Sequence, residues 1–321
     1  MKKVLPLFLI CILICCGAHA QRTEVYNPHI HTVQVIANND YMAPAVIRLG
    51  EGETVEISFD HLTHDYHRYQ YVLTHCNADW TPSDLSETEY LDGFNDNPIE
   101  DHDISVNTTL PYTHYRLTFP NDQVRPKLSG NYRLLVYDDA EGKNKPAFST
   151  CFRILEKEVN ISAQVSSDTE IDRNKNHQQV SFSIQHKGYP IRNPQNEIRV
   201  HVLQDNRTDN EVTNLQPSYV GPDQLRYEHN RALIFPAGNE YRRFEMVSTR
   251  YASQGVESIR YHAPYYHVTL QPDLPRLLNY SYDQDQNGRF VIRYDEAVDN
   301  NTEADYFFVH FSLLWENPLT E

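Results

Sequence analysis

Short runs in which apolar and polar residues alternate dominate the sequence, and helical periodicity is almost absent. In TVEISF, Val55, Ile57 and Phe59 alternate with polar neighbours. The same pattern occurs in HYRLTF, NYRLLVY and FSTCFRIL, and residues typical of turns bound each run. Because successive side chains of a strand point to opposite faces of a sheet, the pattern predicts strands with one buried face. We therefore expect an all-β fold.

The spacing of these strands predicts tandem immunoglobulin-like β-sandwich domains with a partial third β unit at the C-terminus. The first sandwich is predicted over residues 21–156 and the second over 157–272, with the third unit over 273–321. Strands of the second sandwich are predicted at QVSFSIQ, NEIRVHVLQ, QLRYEH, RALIFP, YRRFEMVS and YYHVTLQ. The third unit is predicted as the hairpin LLNYSYDQDQNGRFVIRY and the strand ADYFFVHFSLL. Two or three strands rarely stand alone, so we expect this tail either to pack on the second sandwich or to be truncated.

Residues 1–20 have the features of a secretory signal peptide. Lys2 and Lys3 precede the apolar run 4–16, and Ala18-His19-Ala20 is a small-x-small cleavage pattern. The run is shorter than the roughly 20 residues that span a bilayer. We expect an exported protein located in the periplasm, without direct membrane insertion. Lipidation at Cys15 or Cys16, which end the apolar run, is the alternative, but Leu13 and Ile14 precede Cys15 where a small residue is expected before a lipidated cysteine.

The formal net charge of −16 limits the partners of the protein. No basic stripe is present, so nucleic acid and an anionic membrane surface are both poor partners. The 22 tyrosines suit strands, and they also suit surfaces that bind other proteins.

No recognisable metal, cofactor or catalytic site is predicted. His61, His64, His67 and His75 are close in sequence, but no cysteine or glutamate completes a zinc pattern, and we place the first three in a loop. The string DQDQNG resembles the start of a calcium loop, yet Tyr294 stands where the closing glutamate belongs, so a hairpin turn is expected.

The two cysteines outside the signal segment are expected to be free thiols. Cys76 could act as a nucleophile beside His75, but neighbouring strand residues point to opposite faces, and a buried thiol is the simpler interpretation. Cys76 and Cys151 belong to different strand contexts, which argues against a disulfide. Nothing in the sequence supports a reaction, so we predict a protein that is not an enzyme.

The segment THCNADWTPSDLSETEYLDGF is the strongest candidate for a functional site. It combines three large aromatic residues, Trp80, Tyr90 and Phe94, with several carboxylates. Aromatic residues dominate the centres of protein interfaces, so we predict a partner-contact loop. The alternative is that Trp80 only anchors the loop, because tryptophan is usually at least partly buried. One short helical turn is expected between Ser83 and Tyr90.

Several strings in a fixed order resemble the type IX secretion system plug protein family. They are HCNADWTPSDLSETEYLDGF, PYTHYRLTFPND and LSGNYRLLVYDD, followed by NEYRRFEM, NGRFVI and DYFFVHFSL, and they extend from Tyr26 to Leu314. The resemblance implies a periplasmic protein, peripherally associated with the outer membrane, that closes the periplasmic end of the type IX translocon barrel. It implies that this outer-membrane barrel is the partner, and it supplies no catalytic residues.

Two other functional classes remain open at the level of sequence. One is a periplasmic carbohydrate- or peptide-binding module, which β-sandwiches with exposed aromatic residues often are. The other is a hydrolase with an unfamiliar site. Carbohydrate binding would require a row of exposed aromatic side chains along one sheet face or groove.

Overall fold

The computed structural model describes residues 22–238, 240–274 and 285–314, and within them the chain is almost entirely β-structure. The first domain contains β1 (Glu24–Val25), β2 (Ile30–Ala37), β3 (Val46–Arg48), β4 (Val55–His61), β5 (Tyr69–Cys76), α1 (Glu87–Tyr90), β6 (Leu91–Gly93), β7 (Asn97–Pro98), β8 (Asp101–Ile104), β9 (Thr113–Phe119), β10 (Val124–Pro126), β11 (Gly130–Asp138) and β12 (Pro146–Leu155). The predicted all-β class is confirmed.

Two sheets enclose the core of the first domain. One has the strand order β1-β12-β11-β5-β7, with β3 parallel to β12, and the other has the order β2-β4-β9-β8. The side chains predicted to face inward, Val55, Ile57 and Phe59 among them, are fully buried. Phe59 stacks on Tyr115 and meets Phe148 edge-on, with ring centroids 5.1 and 4.9 Å apart. Aromatic packing of this kind holds the two sheets together.

The elements of the second unit are β13 (Asn160–Ser166), β14 (His177–Gln185), α2 (Pro194–Glu197), β15 (Tyr219–Val220), β16 (Gln224–Tyr227), a 3₁₀ turn (Arg231–Leu233) and β17 (Ile234–Pro236). Its strands form one antiparallel sheet in the order β13-β14-β16-β15, with β17 beside β14. Phe182 stacks on Tyr227 with centroids 4.5 Å apart at the centre of its core.

The third sheet consists of β18 (Val256–His262), β19 (Tyr265–Leu270) and β20 (Phe307–His310), with α3 (Asn300–Glu303) preceding its last strand. The pairs are antiparallel between β18 and β19 and parallel between β19 and β20. β18 and β19 lie in the range predicted for the second sandwich, and β20 lies in the range predicted for the third unit. The three strands nevertheless form one sheet, which therefore crosses the predicted boundary at residue 272. The boundary itself stays a prediction.

Three predicted strands are not strands in the described chain. In NEIRVHVLQ, Pro194 starts the short helix α2, and only Val202 forms a bridge, to Val212. YRRFEMVS and the described half of the third-unit hairpin form isolated backbone bonds, such as Glu245 N–H to the Gln254 carbonyl at 2.9 Å. Apolar and polar residues alternate in both segments, but within the described chain no neighbouring strand forms a continuous series of backbone hydrogen bonds with them. Residues 275–284, the other half of that hairpin, lie outside the described residues.

The segment before β20 packs against the first domain, whereas packing on the second sandwich was one of the two predicted alternatives. The Asp305 carboxylate accepts hydrogen bonds from Thr109 N–H at 3.1 Å and from its hydroxyl at 2.7 Å. The Tyr112 hydroxyl donates to the Ala304 carbonyl at 2.8 Å. Residues 304–306 therefore cover the outer face of the sheet that contains β4 and β9.

Candidate functional site

The predicted contact loop begins with a tight turn after β5. Trp80 N–H donates to the Asn77 carbonyl at 3.0 Å, and the Asp79 carboxylate accepts from Thr81 N–H and from the Thr81 hydroxyl at 3.0 and 2.6 Å. Trp80 has a φ of +64°, in the left-handed region that non-glycine residues seldom occupy. Side-chain oxygens that accept local backbone N–H groups stabilise such turns.

Trp80 lies under the loop and not on its surface, with 5% of its area exposed. The Arg153 guanidinium lies 5.4 Å from the indole centroid, and Arg133 Nη2 donates to the Trp80 carbonyl at 3.1 Å. These two arginines belong to β12 and β11 respectively. Trp80 is thus the anchor of the loop on the first sheet, which is the simpler of the two roles considered for it.

A short helix carries Tyr90 into the core, and the predicted helical turn is confirmed. The Glu89 carboxylate accepts from Ser86 N–H at 2.8 Å, which caps the first turn of α1. Tyr90 is only 5% exposed, and its hydroxyl donates to the Leu73 carbonyl at 3.2 Å. Its ring meets that of Tyr132 with centroids 6.1 Å apart. Tyr90 therefore anchors α1 to β5 and β11.

Phe94 is the member of the predicted trio that faces solvent, with 85% of its area exposed. It follows Gly93, whose φ is +105° and whose missing Cβ would lie 2.0 Å from the Gln123 carbonyl oxygen. Asn97 Nδ2 donates to the Phe94 carbonyl at 2.6 Å, and the Asn95 side chain bonds both the N–H and the carbonyl of Leu73. An exposed aromatic ring is thus held on an ordered corner. Of the three aromatic residues predicted to contact a partner, Phe94 is therefore the one whose side chain is available at the surface.

The clustered histidines each have hydrogen-bond partners of their own, and His61 ends β4 where the sequence analysis placed it in a loop. Tyr69 Oη lies 3.1 Å from His61 Nδ1, and His67 Nδ1 lies 2.6 Å from an Asp138 carboxylate oxygen. His75 lies between the Ser83 hydroxyl and a backbone carbonyl. Among the described residues, no group of three or more histidine, cysteine, aspartate or glutamate side chains is arranged to hold a metal ion.

His61 is the histidine whose pKa the structure changes most clearly. Burial lowers its pKa from the ordinary value of 6.5 to about 4, and the neighbouring His67 and His29 add to the effect. The rings of His61 and His67 are 4.2 Å apart. A buried imidazole beside other imidazoles remains neutral, since a positive charge there would lose its hydration and repel its neighbours.

Cys76 and Cys151, the cysteines of the described chain, are both free, as predicted. Cys76 on β5 and Cys151 on β12 lie on either side of β11, where they pair with Asn131 and Arg133. Two strand spacings amount to about 10 Å, beyond the Cα separation of a disulfide. Burial raises the pKa of the Cys76 thiol, and it raises that of Cys151 to about 11. Neither thiol has the lowered pKa of an activated nucleophile.

The calcium-like string forms a turn in its described part. Asn287 N–H donates to the Asp285 carboxylate at 3.0 Å, and Asp285 also accepts from Tyr241 N–H. Asn287 and Gly288 both have positive φ, at 50° and 75°. Asp283 lies outside the described residues.

A buried polar joint between the first domain and the third unit was not predicted. Asp60 and His114 are direct partners across β4 and β9, with His114 Nδ1 2.6 Å from Asp60 Oδ1. The Tyr306 hydroxyl donates to Asp60 Oδ2 at 2.6 Å and also contacts the Thr32 hydroxyl. Burial, followed by the Asp60 charge, raises the pKa of Tyr306. Asp60 and His114 occupy outward positions in the alternation, and polar residues there normally face water, so the sequence carries no signal of the joint.

Among the described residues, no helix has the length and apolar character that crossing a membrane requires.

Comparison with known proteins identifies relatives of this chain. Residues 30–156 match the sequence model of the type 9 secretion system plug protein 1st domain. A 2.30 Å crystal structure of a hypothetical protein from Parabacteroides merdae ATCC 43184 is similar, with 48% identity and a TM-score of 0.89. That match covers 93% of this chain and 75% of the other.

A second solved structure has no informative similarity. It is Pseudomonas fluorescens alkylpurine DNA glycosylase AlkC bound to DNA containing an abasic site analog, with 13% identity and a TM-score of 0.22. The match covers 40% of this chain and 30% of that chain, and it carries no structural argument. No curated protein matches the chain significantly.

Proposed function

The chain belongs to the type IX secretion system plug protein family, and we propose that it closes the periplasmic end of the outer-membrane translocon of that system. In this proposal it is a periplasmic, non-catalytic subunit at the inner side of the outer membrane. Its partner is the barrel protein of the translocon. The observation that supports the proposal most directly is the match of residues 30–156, most of the first sandwich, to the plug domain.

The side chains of the described surface favour a protein that binds a partner over an enzyme. Cys76 and Cys151 have raised pKa values, and His61 and His67 are each held by a hydrogen bond. The first domain instead offers an exposed phenylalanine on an ordered corner, where Gly93 and Asn97 hold the backbone. A preorganised aromatic residue loses little entropy on binding, which favours it as an interface anchor.

We expect Phe94 to lie in the interface with the barrel. Truncating an aromatic residue at an interface centre costs at least about 2 kcal/mol, or roughly a thirtyfold loss of affinity. Phe94→Ala should therefore reduce recovery of the barrel when the tagged protein is purified from solubilised envelopes. Tyr66→Ala is the matched control, because Tyr66 is also an exposed aromatic residue of the first domain, at 67%.

Three measurements separate the outcomes of this experiment. Wild-type protein should co-purify with a large outer-membrane barrel, and cells lacking the protein should admit bulky antibiotics that an intact outer membrane excludes. If no barrel is recovered and permeability is unchanged, the plug function is wrong. If the barrel is recovered equally with both variants, the function stands but Phe94 is not in the contact. Thermal melting of each variant shows whether a loss of binding reflects unfolding.

A further inference from the structure

A cleft of about 440 Å³ opens where three parts of the chain meet. The first domain contributes Trp80 and Arg153, the second range of the chain contributes the loop 206–209 and Tyr241, and the third unit contributes residues 287–289. These segments are far apart in sequence. A ligand in the cleft would therefore contact all three parts at once.

The charge of the cleft is opposite to that of the protein. The charged residues that line it, within the described chain, are Arg22, Arg153, Arg207, Arg289 and Asp209. The chain as a whole carries 28 lysines and arginines against 44 aspartates and glutamates. A concave site with a local excess of one charge attracts ligands of the other charge, so this cleft favours an anion.

Arg153 and Arg289 enter the cleft without a carboxylate partner. Arg153 stacks on Trp80, and Arg289 Nη1 donates to the Tyr41 carbonyl at 3.2 Å. Burial lowers the pKa of both guanidinium groups, while Glu211 and Asp40 respectively act on them from longer range. Neither arginine forms an ion pair within 4 Å with any described residue.

The other two arginines have anionic partners. Arg207 makes two hydrogen bonds to Asp209, at 3.0 and 2.6 Å, and Arg22 lies 3.6 Å from Glu24. Their charges are therefore compensated within the protein. The uncompensated positive charge of the cleft belongs to Arg153 and Arg289.

The remaining polar lining provides hydrogen-bonding groups without charge. It consists of Thr23, Thr150, Asn206, Thr208, Tyr241 and Asn287. Amide and hydroxyl groups of this kind orient a polar ligand that arginines attract. The guanidinium group presents N–H donors in a planar fork that matches a carboxylate or a phosphate group in two parallel hydrogen bonds.

We propose that this cleft is a binding site for carboxylate groups, to which the Arg153 and Arg289 guanidinium groups donate hydrogen bonds. The carboxylates come either from a small polycarboxylate or from acidic side chains of a peptide segment, and both present the same chemistry. Because three parts of the chain line the cleft, a bound ligand contacts all three and links them. The lining of the cleft does not include Phe94.

Tryptophan fluorescence provides a direct test. The chain has two tryptophans, so Trp315→Phe leaves Trp80, inside the cleft, as the reporter. In this background we titrate citrate, a Glu/Asp-rich octapeptide and inorganic phosphate at low ionic strength. The proposal expects a saturable change with citrate or the peptide, weaker by at least tenfold with phosphate. The stronger of the first two identifies the source of the carboxylate.

Variants with equal charge changes locate the binding. Arg153→Gln and Arg289→Gln should each weaken binding at least tenfold. Arg125→Gln is the control, since Arg125 is an exposed arginine whose side chain bonds Asp122 at 3.1 Å and the Asn121 carbonyl at 3.4 Å, outside the cleft, and the variant should bind within twofold of wild type. Raising NaCl from 50 to 500 mM should weaken binding of the wild type, because salt screens the attraction.

Melting temperatures separate a ligand site from a structural role. A partly buried charge without a counter-ion adds little stability, so Arg289→Gln should not lower the melting temperature in the absence of ligand. Saturating carboxylate should raise it for wild type and not for the variant. The proposal is overturned if neither carboxylate binds, if phosphate binds equally well, or if Arg125→Gln weakens binding as much as the cleft variants do.

Discussion

Acidification should destabilise the first domain through His61, which is buried and hydrogen-bonded at the end of β4. Its pKa is about 4 in the folded protein, against 6.5 as the ordinary value. Between these values the unfolded chain binds a proton at this residue and the folded chain does not. The free energy of unfolding therefore falls as the pH is lowered from 6.5 towards 4 and is unaffected by this group at neutral pH.

The size of the effect follows from the two pKa values. One pKa unit corresponds to about 1.4 kcal/mol, and most of the shift is expressed by pH 4.5. Between pH 7 and 4.5, His61 should account for a loss of about 2 kcal/mol in the free energy of unfolding. That is a substantial share of the stability of an ordinary domain, which is about 5–15 kcal/mol.

His61→Asn isolates this contribution. The asparagine side chain places a polar atom near the position of Nδ1, so the Tyr69 hydroxyl keeps a partner while the titrating group is removed. Urea denaturation of both proteins at pH 7 and pH 4.5, followed by tryptophan fluorescence, gives the two free-energy differences. The wild type should lose about 2 kcal/mol more than the variant. NMR titration of the histidine Cε1–H signals gives the pKa directly, from the resonance that His61→Asn removes.

Equal losses in the two proteins would refute this reasoning. A His61 resonance that titrates near 6.5 would also refute it, because burial would then not have excluded the charged form.

Three further predictions concern other parts of the molecule. Tyr306→Phe removes a hydrogen bond to a buried carboxylate, so it should cost about 1–3 kcal/mol of unfolding free energy in urea denaturation and increase proteolysis of the C-terminal segment. Little change in either measurement would show that the joint contributes little. Gly93→Ala should lower the melting temperature more than Gly142→Ala, because both have positive φ but only the first would place a Cβ against backbone; equal shifts would contradict this. In a chain expressed from residue 21, Cys76 and Cys151 should take up two alkyl groups under denaturing conditions without reductant, and fewer by mass spectrometry would indicate a disulfide.

Much of the first domain was predictable from the sequence, because the pattern that identifies each strand lies within that strand. In β4, β9, β11 and β12 the apolar residues occupy every second position, and the alternation determines which face is buried. Such a pattern depends only on residues within the strand. Turn residues at both ends limit its length, so neither the face nor the approximate bounds require knowledge of the rest of the chain.

Other parts of the molecule depend on distant residues and were not predictable. YRRFEMVS alternates, yet a strand also requires a neighbour that continues its hydrogen bonds, and the sequence does not identify one. The composition of the contact loop revealed three aromatic residues but not their exposure, since burial of Trp80 depends on Arg133 and Arg153 from other strands. The cleft arginines are scattered along the chain, and only the meeting of three parts brings them together.

The joint at Tyr306 gives the protein a second route for mechanical load. A pull on the C-terminal segment reaches the first domain along the backbone, through the second unit, and also directly through the contact of Tyr306 with Asp60. Hydrogen bonds weaken steeply once donor and acceptor separate beyond their normal distance, so the direct route is stiff over a short extension and then fails abruptly. The first domain would then expose Asp60 and His114 to water, while the two sheets that enclose its aromatic core remained intact.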